Sequence, residues 1–155
     1  KMKLMKSRGG YSLLELLLGF FIIAVIATML AYAFSAFRES NDLSTAHAII
    51  IGLLKDARSR AISSDGNSVY GVHFETEKAA LFKGSVYNSS DPSNEVYVLP
   101  GTVELSTISL TGGAAETVFS RLGGTTTASG TVTLSPKNNL SKTKIITIFA
   151  TGNAE

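Results

Sequence analysis

The chain has no cysteine, only two histidines and only three prolines in 155 residues. Without cysteine no disulfide can staple a domain exported to an oxidising compartment, so packing alone must hold it. Without cysteine, and with only His47 and His73, no ligand cluster stands at zinc spacing. No Gly-rich phosphate loop follows a strand-like run, and no nucleophile can be paired with a base. These absences argue against an enzyme and predict neither a metal nor a cofactor. Charge is missing in one place: from Leu16 to Phe37 there is no Asp, Glu, Lys or Arg.

That uncharged run is apolar on every side rather than along one stripe, which suits lipid or a fully buried setting. As a helix its roughly 22 residues would extend roughly 33 Å, enough to cross a bilayer core of about 30 Å. Lys1, Lys3, Lys6 and Arg8 precede it with no acid among them. They predict a cytoplasmic N-terminus, with everything after Phe37 sent across the membrane. Fourteen Lys and Arg face twelve Asp and Glu, but four of the fourteen lie in this head, so the rest of the chain has ten against twelve. The basic balance belongs to the head and does not argue for nucleic acid.

Glu15 is the anomaly, because an acid at the start of a spanning helix needs a partner. Arg8 is poorly placed for it if Gly9-Gly10 breaks the helix. Cleavage after Gly10 would supply another cation, the α-amino group of Tyr11, which is mostly protonated at neutral pH. Arg8-Gly-Gly-Tyr-Ser-Leu-Leu-Glu15 with its apolar run resembles the class III signal of type IV pilins and type II secretion pseudopilins. In that family prepilin peptidase cuts after the glycine and methylates the new N-terminus. The resemblance implies a cut after Gly10, a methylated Tyr11 and Glu15 as the fifth mature residue. Tyr11 stands where relatives usually have Phe, and the helix lacks the proline many of them carry, leaving Gly19 as its weak point. A secretory signal cut at Ala31-Tyr-Ala33, or a plain anchor, is the alternative. Against both, the run is longer than an h-region of about 7 to 15 residues and an ordinary signal has no reason to carry Glu15.

From Arg38 to Ser63 the pattern becomes amphipathic. Leu43, Ala46, Ile50, Leu54, Ala57 and Ala61 follow helical spacing, while Glu39, Lys55, Asp56, Arg58 and Arg60 fall mostly off that stripe. The anchor helix is therefore expected to continue into this one and to stop at Ser63-Ser-Asp-Gly-Asn67, where Gly66 or Asn67 can take a left-handed cap conformation. Seven short strand-like runs follow, at 69–74, 79–82, 96–99, 103–110, 118–119, 131–134 and 145–149, separated by turn residues. The fold class is α+β, one long N-terminal helix against antiparallel β-sheet.

Other polar groups carry weaker signals. His73 and Glu75 share a strand face, His47 sits on the amphipathic helix, and Asp91, Asn94 and Glu95 could offer oxygens to calcium. A surface pair, a boundary residue and a solvated loop are the plainer readings. Lys137, Lys142 and Lys144 form a basic patch beside a strand, read as an edge guard rather than a phosphate contact.

The second half resembles the GspH/FimT minor pseudopilins and minor pilins at Leu54-Lys-Asp-Ala-Arg-Ser-Arg-Ala-Ile62, Val118-Phe-Ser-Arg-Leu-Gly123 and Ile145-Ile-Thr-Ile-Phe-Ala-Thr-Gly152. Some of those proteins end in a basic segment and bind DNA. This chain runs Gly152-Asn-Ala-Glu155, so nucleic acid is not expected as a partner. The resemblance implies a leader (1–10), a membrane and filament-core helix (11–37), its amphipathic second half (38–66) and a β-rich domain (67–155). It implies a minor pilin or pseudopilin in the bacterial inner membrane, with an extracytoplasmic domain, that later enters a pilus or pseudopilus. Implied partners are prepilin peptidase, other pilin subunits, an inner-membrane assembly platform with its ATPase, and lipid. The competing reading is a membrane-anchored binding module that never polymerises.

Overall fold

The computed structural model describes residues 12–155, so the basic head, Gly10 and Tyr11 lie outside the described residues. Two compact units meet at Arg38 and Glu39. One helix, α1 (Leu13–Ile62), contributes to both. It contains no proline to remove a backbone donor, and it passes Gly19 and Gly52 without interruption.

In the first unit α1 has no buried face. Every large apolar side chain from Leu13 to Phe37 is exposed, including Phe20, Phe21, Ile23 and Leu30. The helix is long and apolar enough to cross a membrane, by length and composition. Thr28, a polar interruption, donates its hydroxyl to the Val25 carbonyl at 2.8 Å, so it does not present a bare donor to an apolar solvent.

In the second unit the helix is one-sided. Its buried residues are Leu43, Ala46, Ile50, Leu54, Ala57 and Ala61, the whole of the expected stripe and nothing else. Seven strands follow: β1 (Tyr70–Glu75), β2 (Lys78–Lys83), β3 (Glu95–Val98), β4 (Val103–Leu110), β5 (Glu116–Phe119), β6 (Gly130–Pro136) and β7 (Lys144–Ile148). Each overlaps one of the runs expected from the sequence, and all the strand pairs are antiparallel.

The strands divide between two sheets, ordered β3-β2-β1-β5 and β4-β6-β7. The helix stripe shares one core with Val72, Phe74, Leu81 and Phe119 of the first sheet and with Val103, Leu105, Val132, Leu134, Ile146 and Ile148 of the second. The turn between β1 and β2 ties the sheets together. Its Thr76 carbonyl accepts the Leu105 N–H of β4 at 2.9 Å, and Lys137, just past β6, reaches the Glu77 carboxylate at 2.6 Å. The Lys137 ammonium holds the Glu77 carboxyl below its ordinary value. Lys137, one of the three lysines read as an edge guard, is thus also an ion-pair partner between the sheets.

On the face of the first sheet away from the helix, Phe82 lies over Gly71, where any Cβ would come within 2.7 Å of the ring. Tyr87, from the loop after β2, packs edge-on to Phe82 and stacks on His73 with ring centroids 4.1 Å apart. An apolar outer patch is closed this way without a second helix.

Ile50 has no exposed surface and sits where the stripe meets the core. Replacing it by alanine should cost about 2–5 kcal/mol, because a cavity adds to the lost transfer energy. Thermal unfolding of the detergent-solubilised chain, followed by circular dichroism, measures this; an unchanged midpoint would mean that the stripe is not the core face.

Candidate functional site

The sequence directs attention to the start of α1. Ser12 stands immediately before the helix, and its Oγ accepts the N–H of Glu15 at 3.2 Å. Its carbonyl accepts the N–H groups of Glu15 and Leu16 at 3.0 and 3.2 Å. Ser12 is therefore the N-cap and Glu15 the third helical residue, the Ser-x-x-Glu spacing of a capping box. A carboxylate in the first turn also faces the positive end of the helix dipole. The role of Ser12 was missed from the sequence, although Ser12-Leu-Leu-Glu15 carries the signal.

Glu15 has no ion pair and no side-chain hydrogen bond among the described residues. It borders a shallow groove of about 230 Å³ whose other walls are Leu16, Gly19, Phe20 and Ile23. These positions share one helix face by their spacing. A carboxylate at the rim of an apolar groove can bind a cation that carries an apolar group close to its charge.

A second arrangement lies at the other end of the helix, where all three segments of the second-half resemblance converge. Arg58 donates from Nε to the Gly124 carbonyl at 3.1 Å and from its terminal nitrogen to the Thr151 carbonyl at 3.3 Å. The Leu122 N–H caps the Ala61 carbonyl at 3.0 Å, one of the last acceptors of the helix. Gly124 packs against Ile62, and a Cβ on Gly152 would fall 1.8 Å from the Gly124 carbonyl oxygen. Only glycine fits at 152, where φ is also +83°. These segments form a structural joint, with Arg58 as the clasp that the sequence alone did not single out.

The helix ends at Ile62, directly before the expected stop at residues 63–67, and the first left-handed residue is Ser64 rather than Gly66 or Asn67. Ser64, with φ 57°, takes the left-handed position, and Gly66 and Asn67 add further left-handed turns after it. Arg121 then binds the Asn67 side chain and backbone carbonyl. Beside this end Arg60 forks onto Asp56 at 2.7 and 3.1 Å, reaches Glu95 of β3 at 2.7 Å and lies 6.0 Å from the Tyr70 ring centroid. Asp56 first, then Glu95, holds the guanidinium still more firmly protonated.

The remaining candidates are satisfied locally. His73 lies between Glu116 at 3.1 Å and Glu75 at 3.7 Å under the Tyr87 ring. Asp91 accepts from the Ser93 N–H and hydroxyl, Asn94 donates to the Asn88 carbonyl, and Glu95 pairs with Arg60, so these three do not converge. His47 is half-buried on the helix flank. Among the described residues no group of three His, Asp or Glu side chains could hold a metal ion.

Residues 5–31 match the model of the prokaryotic N-terminal methylation motif. The chain thus carries that motif across the start of the helix of a pilin fold, a long N-terminal helix packed on antiparallel sheets. It is similar to the type IV minor pilin FimU of Pseudomonas aeruginosa, with 14% identity and a TM-score of 0.55 over 73% of this chain and 90% of that one. It is similar also to the minor pseudopilin EpsH of the type 2 secretion system of Vibrio cholerae, with 16% identity and a TM-score of 0.57 over 74% of this chain and 94% of that one. No curated protein matches the sequence. Motif and fold together support the pilin and pseudopilin family.

Removing the clasp should loosen the joint. Arg58→Ala leaves the Gly124 and Thr151 carbonyls without their donor and should cost about 1–3 kcal/mol, with Arg58→Lys recovering only part because one ammonium cannot reproduce the fork. Hydrogen exchange at residues 120–126 and 149–153 should speed up in the alanine variant; unchanged exchange would rule out the clasp.

A pH effect follows from Tyr70, which is 5% exposed and donates its hydroxyl to Asp65 at 3.1 Å. Burial, and then the bond to Asp65, pushes its phenol above the ordinary 10.0. A raised folded pKa means its contribution is complete below the unfolded value and is lost as pH rises through the folded one. Stability should therefore fall above pH about 10, and Tyr70→Phe should flatten that fall. Denaturant titrations at several alkaline pH values measure the difference.

Proposed function

We propose that this chain is a minor pilin or pseudopilin, a non-enzymatic subunit that passes from the bacterial inner membrane into a pilus or pseudopilus. The observation that carries the reading is a methylation motif over residues 5–31 that runs into a helix apolar on all sides over its first half. Such a surface needs a cover, and lipid before assembly and neighbouring helices after it are two covers of the same chemistry. FimU and EpsH, a minor pilin and a minor pseudopilin, share the fold.

In this reading residues 1–10 are a leader, and prepilin peptidase cuts after Gly10 and methylates the Tyr11 amine. Residues 11–37 hold the subunit in the inner membrane, residues 38–66 continue the helix, and residues 67–155 form the extracytoplasmic domain. An inner-membrane platform and its ATPase draw the subunit from lipid into the filament. Glu15 loses hydration in that step. A charge-assisted contact with the Tyr11 amine of a neighbouring subunit offsets the loss and sets the axial register. The cap at Ser12 fixes the first turn, so the carboxylate is offered from a defined position.

Intact-mass and N-terminal mass spectrometry on the protein from its native membrane should find a chain that begins at Tyr11 and carries one added methyl group. Glu15→Ala should stay membrane-bound but lose most of its incorporation into sheared filaments. An intact leader with indifference to Glu15→Ala would mean an anchored module that does not polymerise, and a chain beginning at Phe34 would mean a cleaved secretory signal.

A further inference from the structure

We propose that residues 84–94 are a pH-sensitive strap, held down on the outer face of the first sheet by protonated His73 and loosened when the imidazole is neutral. The inference stands on the second unit alone and does not need the filament reading.

The first observation is how little ties the strap down. It joins β2 to β3, and among the described residues its one hydrogen bond to the rest of the domain is at its start, from the Gly84 N–H to the Val69 carbonyl at 2.8 Å. From Asn88 to Asn94 it bonds to itself. The Asn88 carbonyl accepts the Asp91 N–H and the Asn94 side chain, and Asp91 accepts from Ser93. Asp91 is also drawn toward Lys83 of β2, an attraction that does not change between pH 5 and 8. What remains is Tyr87, whose ring stacks on His73 with the two planes 11° apart and meets Phe82 edge-on. The imidazole is the seat of the strap.

The second observation is the charge around that seat. Glu116, His73, Ala80 and Val96 lie side by side in one row across β5, β1, β2 and β3. His73 Nδ1 is 3.1 Å from Glu116 and its Nε2 is 3.7 Å from Glu75, which also pairs with Lys78 of β2 at 3.1 Å. Ala80 and Val96 bring no charge. A neutral imidazole has one N–H for two carboxylates, so one carboxylate faces a lone pair. Protonation arms both nitrogens and sets a cation against the face of the Tyr87 ring. One proton thus strengthens all three contacts. Imidazole is the side chain that ordinarily changes charge between pH 5 and 8, and the phenol of Tyr87 does not titrate there. Loosening the strap uncovers Phe82, now 1% exposed, on the sheet face where Val96 and Val98 already stand open.

The chain has no cysteine, so Ser89→Cys gives a single site for a nitroxide label on the strap of the full chain in detergent. Between pH 8 and pH 5 the ratio of immobile to mobile label in the electron paramagnetic resonance spectrum should rise about fivefold. His73→Gln should lose that response, and Tyr87→Ala should leave the label mobile at both pH values. Glu116→Gln, which keeps both rings in place, should shrink the response. His47→Gln should retain it, which separates the two histidines of the chain. The same label at Ser141→Cys, between β6 and β7, should not respond. A pH-independent spectrum from the strap, or a response that survives His73→Gln, would overturn the proposal. Circular dichroism checks that each variant folds; should His73→Gln not fold, an undiminished response in Glu116→Gln would overturn it equally.

Discussion

A helix can be satisfied by one solvent per face, and α1 meets two different solvents along its length. Between Glu39 and Ile62 six residues bury into the core, Ile51 and Leu53 pack partly against it and the opposite face meets water, so the domain covers what the helix needs covered. Between Leu13 and Arg38 none of the described residues of the helix is buried. The apolar surface there is too extensive and too uniform to be incidental. Cover must come from lipid or from other helices, and the two are nearly equivalent for an aliphatic surface. Transfer between them is then decided by the few polar groups present, which is why Ser12, Glu15 and Thr28 matter more than their number suggests.

The β-domain answers a separate problem, that of holding a compact fold without disulfides. It does so by tying loops to the two ends of the packed helix. At the near end Asp42 accepts the Thr102 hydroxyl at 2.7 Å. At the far end Arg58, Leu122 and the glycines at 124 and 152 lock two distant segments onto the end of the helix. Between them the turn at Thr76 and Glu77 links the two sheets. The ties are mostly side chain to backbone, or involve backbone carbonyls left over at element ends, where each bond also removes an orphan acceptor.

Much of this was legible in the sequence because it follows from periodicity. The six-residue stripe and the seven strands are local patterns, and burial in one face leaves a local trace. Sheet partition is not local. Nothing in the runs at 103–110 and 118–119 says that β4 and β5 belong to different sheets, since neither run specifies its partner strand. The role of Arg58 was hidden for a related reason. It falls off the apolar stripe and reads as a solvated charge, and only the return of residues 120–124 and 149–152 to the helix end makes its donors necessary. The pairing of Lys137 with Glu77 was hidden because the two lie sixty positions apart.

At the start of α1 the situation is reversed, for local spacing was sufficient and incompletely used. Glu15 was noticed for what it costs in an apolar setting, while Ser12 three positions earlier shows what it contributes to the helix. The two readings are compatible. A capping residue in the first turn stiffens the backbone that carries the carboxylate, and an acid at that end is partly stabilised by the helix dipole before any partner arrives. A charge held this way costs less to keep in the membrane than an isolated one and still gains from a cation. That balance is what a subunit needs if it is to wait in one apolar environment and settle in another.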